Sequence, residues 1–279
     1  VAVLVNASDT FAKTFLAQNQ LAARSLGIEL HTLMVRSGEP LERLRGHLIS
    51  GFAWQPGAHL EPNQVLPAHA HALGGALGRM HQATRGVGRV SSASPMRARA
   101  NRYDVQELQR RLAQAQRAAR PELDDVLATL ADTRDQVLAS GVLSNGAGDD
   151  GIIHGDLFRD NVLWDGTRLV ALLDFEQASS GRFAYDLAVV LLDWCWDQAS
   201  AQPRGPLVRA LVDGYRVSSA VDLAGLAQAL IAASWRFSIT RITDVYLPGH
   251  TQPGKDFRDF VARLNFWRSQ PEALAALCG

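Results

Sequence analysis

The sequence predicts an α+β fold, mainly helical from residue 44 onward, with an α/β piece ahead of it. Three observations predict it. A strand, polar loop, strand, strand succession occupies residues 152–176. Apolar residues at helical spacing flank it on both sides. An apolar pentapeptide, Val1 to Val5, opens the chain and is followed by a helical pattern and a second apolar run.

Taken in order, Val1 to Val5 suits a buried parallel strand, and Asn6 to Asp9 supply a turn and a helix N-cap. Phe11, Phe15, Leu16, Ala22 and Ala23 space a helix over Thr10 to Leu26, closed by Gly27 just past its end. Ile28 to Val35 reads as a second strand, so residues 1–43 form a βαβ unit. Ser37-Gly38-Glu39-Pro40 separates it from residues 44–279. A strand over 47–54 then runs into the turn Gln55-Pro56-Gly57, a candidate hinge. Leu73, Leu77 and Met80, with small residues between, predict a closely packed helix from Leu66 to Gln82. A Gly-, Ser-, Arg- and Pro-rich loop spans 86–102. Helices follow over 104–119 and 121–140, the second opened by Pro121 with Glu122, Asp124 and Asp125 in its first turn. Beyond the central hairpin, helices are expected over 183–198, 205–216, 221–245 and 255–268.

Composition excludes several functions. The 279 residues are 47% hydrophobic and 20% charged, and Lys+Arg and Asp+Glu total 28 each. With no net charge there is no field to attract nucleic acid or an anionic membrane. No apolar run approaches the roughly 20 residues that span a bilayer, and no basic segment opens a secretory signal. Cys195 and Cys278 lie far apart without metal-ligand spacing, which suits a reducing, cytoplasmic setting.

The chemistry lies in Ile152-Ile153-His154-Gly155-Asp156-Leu157-Phe158-Arg159-Asp160-Asn161-Val162-Leu163-Trp164 and in Leu169-Val170-Ala171-Leu172-Leu173-Asp174-Phe175-Glu176. Apolar strands on either side fix the polar loop, with Asp156 and Asn161 five positions apart on it and Asp174 thirteen residues beyond Asn161. Phosphoryl transfer needs a carboxylate to take a hydroxyl proton and oxygen ligands to hold Mg²⁺ against phosphates. Asp156 suits the first task, Asn161 and Asp174 the second. His154 is expected to bond nearby backbone and hold the loop.

This stretch resembles the catalytic and metal loops of the aminoglycoside phosphotransferase and choline kinase superfamily, a protein-kinase-like fold. Ala184-Tyr185-Asp186-Leu187-Ala188 resembles the helix start in which an Asp braces the catalytic loop, a role carried over to Asp186. His-Gly-Asp-Leu-Phe-Arg-Asp-Asn and Tyr-Asp-Leu-Ala-Val-Val-Leu-Leu-Asp-Trp-Cys are most similar to the bacterial homoserine kinases of this fold. Pro56 to Glu61, Arg236 to Pro248 and Lys255 to Arg258 agree, so the likeness covers about residues 45–268. It implies ATP and Mg²⁺ as cofactors, ATP at the hinge residues Phe52, Ala53 and Trp54, and phosphorylation of L-homoserine. A zwitterionic acceptor needs a cation for its carboxylate, with Arg159, Arg236 and Arg241 as candidates. It also needs an acid for its ammonium, with Glu176, Asp193 and Asp244 as candidates. Trp194 and Trp235 either wall that pocket or belong to the core.

The sequence departs from this family at its N-terminus. Residues 1–43 resemble a fragment of an ABC-transporter substrate-binding protein in place of the usual N-lobe. Of the two lysines, Lys13 and Lys255, neither sits on a strand before a helix as the nucleotide lysine does. Two other readings therefore stay open. The acceptor could be an aminoglycoside, a choline-like alcohol or a protein serine, whose kinases Gly78 to Gln82 echo. Alternatively, the chain is an impaired remnant that only binds; a solute-binding receptor has the least support.

Overall fold

The computed structural model describes residues 2–6, 31–35, 43–44, 47–48, 55–86, 101–144, 150–250 and 254–278. The chain divides into two units, Val1–Gln55 and Pro56–Gly279. In the first, β1 (Ala2–Asn6) pairs in parallel with β2 (His31–Val35), in register from Ala2 with His31 to Asn6 with Val35. A parallel pair requires a crossover connection of about a dozen residues or more, which fits the expected βαβ order. The helix expected over Thr10 to Leu26 lies outside the described residues. β3 (Arg43–Leu44) and β4 (His47–Leu48) form a short antiparallel pair; the rest of the strand expected to residue 54 lies outside the described residues.

The second unit is mainly helical and carries short antiparallel strand pairs. Its first three helices are α1 (Pro67–Thr84), α2 (Val105–Arg117) and α3 (Asp124–Ser140). Asp104 caps α2 by accepting from the Glu107 amide at 2.9 Å. Pro121 opens a single 3₁₀ turn, Pro121–Leu123, that leads into α3, and Gly141 ends α3 in the left-handed conformation at φ 61°. Then come β5 (Asp150–Ile153), β6 (Val162–Asp165), β7 (Arg168–Leu172) and β8 (Ser179–Arg182). β6 pairs with β7, and β5 with β8, both antiparallel. The remaining helices are α4 (Phe183–Trp194), α5 (Gly205–Arg216), α6 (Leu223–Arg241), α7 (Phe257–Ser269) and α8 (Ala273–Cys278).

Four elements differ from the sequence expectation. β8 was not expected, because Ser-Ser-Gly-Arg carries no apolar alternation. A Cβ at Gly181 would meet Ile153 Cδ1 at 2.5 Å, so a larger residue there would have to displace that side chain. The helix expected to reach residue 198 stops at Trp194, where Asp197 accepts from the Ala199 amide and the Ser200 hydroxyl and competes with helix continuation. The helix expected to 245 becomes a π turn over Ile242–Tyr246. α8 was also unexpected.

Both tryptophans belong to the core. Trp194 and Trp235 are almost fully buried, and their indole N–H groups donate to the carbonyls of Leu157 and Leu130, at 3.2 and 2.7 Å. α6 is buried nearly all round, packed between α4 and α7. No helix of the described residues is long and apolar enough to cross a membrane.

α1 and α5 approach so closely that backbone meets backbone. A Cβ on Gly214 would lie 2.0 Å from the His71 carbonyl oxygen, and one on Gly74 would lie 2.1 Å from that of Leu211. Neither obstacle is a movable side chain, so Gly214→Ala forces the helices apart. Overpacking of this kind costs about 1–3 kcal/mol, read in a thermal melt as a Tm loss of roughly 3–10 °C. A Tm within one degree of wild type would contradict the close approach.

Candidate active site

The site is assembled on the loop between β5 and β6 and on the turn after β7. Gly155 takes φ 79°, in the left-handed region, and the chain folds back so that two consecutive amides point inward. The His154 and Gly155 amides donate to the two carboxylate oxygens of Asp186, each at 2.8 Å. Asp186 stands in the first turn of α4 and has no solvent exposure. Its Oδ2 also accepts from His81 Nε2 of α1 at 2.9 Å, and His81 Nδ1 meets the Tyr215 hydroxyl at 2.7 Å. A neutral ring that donates at Nε2 and accepts at Nδ1 satisfies both contacts. Burial pushes the Asp186 carboxyl up, but the His81 hydrogen bond and the surrounding donors outweigh it and hold it below the ordinary carboxylate range.

His154 fastens the other end of the loop. Its Nε2 donates to the Leu173 carbonyl at 2.7 Å, and its Nδ1 accepts from the Asp156 amide at 3.3 Å. The exposed Phe175 ring lies 4.6 Å from the imidazole. Asn161 completes the closure: its Nδ2 donates to the Asp156 carbonyl, and its own carbonyl accepts from the Leu173 amide, both at 2.8 Å. These bonds bring Asp156, Asn161 and the end of β7 into one place. Asp174 follows at φ 57°, a left-handed conformation uncommon for a non-glycine residue. Its carboxylate is exposed and, among the described residues, accepts a single long 3.4 Å bond, from the Glu176 amide.

Asp156 is partly buried, its side chain 23% exposed. Oδ2 accepts from Gln177 Nε2 at 2.7 Å, while Oδ1 lies 3.7 Å from Arg236 Nη1. Burial pushes its carboxyl up; Arg236 and His154 pull it back, and Asp160 and Asp174 add to the rise. The result is a carboxylate with raised basicity and one oxygen without a hydrogen bond among the described residues.

The donor set fits a hard cation. Because the Asn161 amide nitrogen is committed to a carbonyl, its Oδ1 is the atom turned to accept, and the exposed Asp174 carboxylate is the second oxygen. Among the described residues, no three His, Cys, Asp or Glu side chains form a cage. Two protein oxygens suit Mg²⁺, which binds through one or two side chains together with substrate phosphates.

The expected acceptor-binding residues separate. Arg159 and Asp193 are taken up by each other: Arg159 Nη2 lies 3.2 Å from Oδ1 and the Arg159 amide donates to Oδ2 at 2.9 Å. Asp244 is paired with Arg111 of α2. Glu176 stays on the exposed side, two residues after Asp174. Arg236 is 2% exposed, its guanidinium 4.2 Å from the Tyr103 ring centroid and its Nη2 donating to Gln177 Oε1 at 2.8 Å. Arg241 lies over the Phe260 ring at 4.5 Å, donates to the Gly254 carbonyl at 2.6 Å, and has no carboxylate in contact among the described residues. Burial pushes its guanidinium down, against the opposing pull of Asp193 and Asp259. The hinge residues Phe52, Ala53 and Trp54 and the early Lys13 lie outside the described residues.

Sequence reasoning missed Gln177, His81 and Tyr103. A glutamine in a turn reads as solvated surface. His81 sits inside the Gly78 to Gln82 wording and gave a usable signal.

The chain was compared with known proteins. It matches the APH phosphotransferase enzyme family over residues 12–224. A homoserine kinase of Methylobacterium radiotolerans is 41% identical over 128 residues, covering 44% of this chain and 40% of that protein. A homoserine kinase of Methylobacillus flagellatus is 30% identical over 221 residues, 78% of this chain and 64% of that one. The chain thus spans less than two thirds of the length of both relatives. Among solved structures, the choline kinase LicA of Streptococcus pneumoniae superposes with a TM-score of 0.55 at 13% identity, over 92% of this chain and 80% of the other. That agreement establishes the protein-kinase-like fold, and with the match across residues 12–224 it shows that this chain belongs to the phosphotransferase enzyme family.

Proposed function

We infer that the chain is the catalytic part of an ATP-dependent kinase for a small-molecule hydroxyl, and that L-homoserine is the acceptor. The observation that carries the reading is the Asp156 carboxylate, fixed by Gln177 at Oδ2 and without a hydrogen bond at Oδ1 among the described residues, on the same loop as Asn161, whose side-chain amide donates to the Asp156 carbonyl. When bound, ATP and Mg²⁺ supply the phosphoryl group and neutralise its charge. The protein orients the acceptor hydroxyl against Asp156 Oδ1. As the substrate oxygen bonded to the γ-phosphorus and the bond to the departing nucleoside diphosphate broke, the hydroxyl proton would pass to Asp156 Oδ1. Asn161 and Asp174 would hold the charge-neutralising ion, and the Asp186 and His154 bonds would keep the loop from moving.

The acceptor assignment rests on the homoserine kinase relatives and on Arg241. Arg159 is neutralised by Asp193 and Arg236 is enclosed, so Arg241 is the candidate cation left to hold a carboxylate, within the electrostatic reach of Asp156.

Mg²⁺-dependent ATP consumption with and without L-homoserine tests the reading, with 3-aminopropan-1-ol as the acceptor that lacks only the carboxylate. Homoserine-dependent turnover is expected. Arg241→Met should raise KM for L-homoserine roughly 10–100-fold, the worth of one charge-assisted pair, and change kcat far less. KM for 3-aminopropan-1-ol should not follow. A folded protein that consumes ATP with choline or an aminoglycoside instead would replace the acceptor, and one that transfers to none would favour a binding-only role.

A further inference from the structure

A partly buried glutamine bridge ties the Asp156 carboxylate to the Arg236 guanidinium, and nothing in the sequence pattern announces it. Gln177 Nε2 donates to Asp156 Oδ2 at 2.7 Å, and Gln177 Oε1 accepts from Arg236 Nη2 at 2.8 Å. The bridge has a definite chemical requirement. A carboxylate only accepts and a guanidinium only donates, so the group between them must present a donor to one side and an acceptor to the other. A neutral primary amide does this, and its orientation is fixed by its two partners.

Arg236 needs that tether. Its Nε and Nη1 are buried and have no hydrogen-bond partner among the described residues, and Nη1 stands 3.7 Å from Asp156 Oδ1, short of a hydrogen bond. The Tyr103 ring at 4.2 Å and the Phe237 ring at 3.7 Å wall the guanidinium. Released from Gln177, the guanidinium can swing onto Asp156 and close a bidentate ion pair, which would occupy Oδ1.

We propose that Gln177 is a positioning residue that holds Arg236 off Asp156 and fixes the carboxylate through Oδ2, so that Oδ1 stays open to the acceptor hydroxyl. The proposal rests on the kinase reading above and adds what keeps the base available. It differs from a structural role in what an isosteric change does. Gln177→Glu keeps size and satisfies Arg236 with an ion pair, but turns a second carboxylate toward Asp156. Gln177→Met keeps the volume and removes both bonds.

The test measures kcat and KM for L-homoserine and 3-aminopropan-1-ol, with Tm, in wild type, Gln177→Glu and Gln177→Met. Misalignment of a base is expected to lower kcat roughly 10–100-fold in both variants and with both acceptors. KM for ATP should move less than about twofold, and Gln177→Glu should melt close to wild type. A purely structural residue would give the reverse, a lowered Tm with kcat kept, and both variants at wild-type kcat would overturn the proposal. The homoserine reading fails separately, if wild type ignores L-homoserine; kcat is then followed with whichever acceptor it does use. Should wild type transfer to none, the bridge is read from stability. Gln177→Met should lower Tm by roughly 2–4 °C in wild type and by much less in the Asp156→Ala background. Equal losses in the two backgrounds would refute the coupling.

Discussion

Replacing Asp156 by alanine is expected to lower phosphotransfer by roughly 10³-fold or more while the protein still folds and melts within a few degrees of wild type. The two halves of this expectation come from the same geometry. Asp156 Oδ1 accepts no hydrogen bond among the described residues while Oδ2 is held by Gln177, and no neighbouring carboxylate is held in the same way. Asp174 is turned outward in a left-handed turn, Asp186 is committed to two amides and His81, and Asp160 is exposed. For stability, however, Asp156 is a mixed asset. Burial disfavours its charge and raises its basicity, so removing it relieves a desolvation penalty while stranding one Gln177 donor. An unpaired donor costs about 1–3 kcal/mol, and loss of the desolvation penalty offsets part of this. The check is a coupled ADP-release assay with L-homoserine and Mg²⁺, run beside a thermal melt. Residual turnover above about a tenth of wild type would remove Asp156 from the role of base; a collapsed melt would instead make it structural.

What could be read from the sequence was what is contiguous in it. The loop from His154 to Asn161 and the Asp174 turn follow one another within two dozen residues, and apolar strands on both sides announce them, so the hairpin and its acids were legible. The α1 helix was legible down to its close packing, because small residues interleave with Leu73 and Leu77. Pairings across long separations were not. Arg159 and Asp193 were assigned to opposite ends of an amino acid, yet they bind each other across 34 positions; charge type alone does not reveal which partner a fold delivers. Gln177 and Arg236, 59 positions apart, could not be joined for the same reason. β8 failed on composition: Gly151 and Gly181 face each other in its pairing with β5, with Phe183 and Ile153 close against them, and glycine carries no strand signal. The π turn after Arg241 continues the helical apolar pattern, which does not distinguish the wider turn.

Asp186 gives the largest expected effect on stability. Its two oxygens receive three donors, the His154 and Gly155 amides and His81 Nε2, and the pocket has no solvent exposure. In Asp186→Ala all three donors are stranded in the core, and stripping one partner from a buried polar cluster costs about 3–5 kcal/mol. That corresponds to a Tm loss of roughly 10 °C or more. Asp186→Asn separates charge from shape: it keeps one acceptor but turns an N–H₂ group toward a backbone N–H, so it should fall between wild type and alanine rather than match wild type. Because the lost bonds are those that fold the chain back at Gly155, activity should fall in both variants even below their melting temperatures. Hydrogen exchange supplies the residue-level readout, with the His154 and Gly155 amides losing protection before the α5 and α6 cores do. If those two amides stay protected in Asp186→Ala, the loop is held by the His154 and Asn161 bonds alone and the brace assigned to Asp186 is wrong.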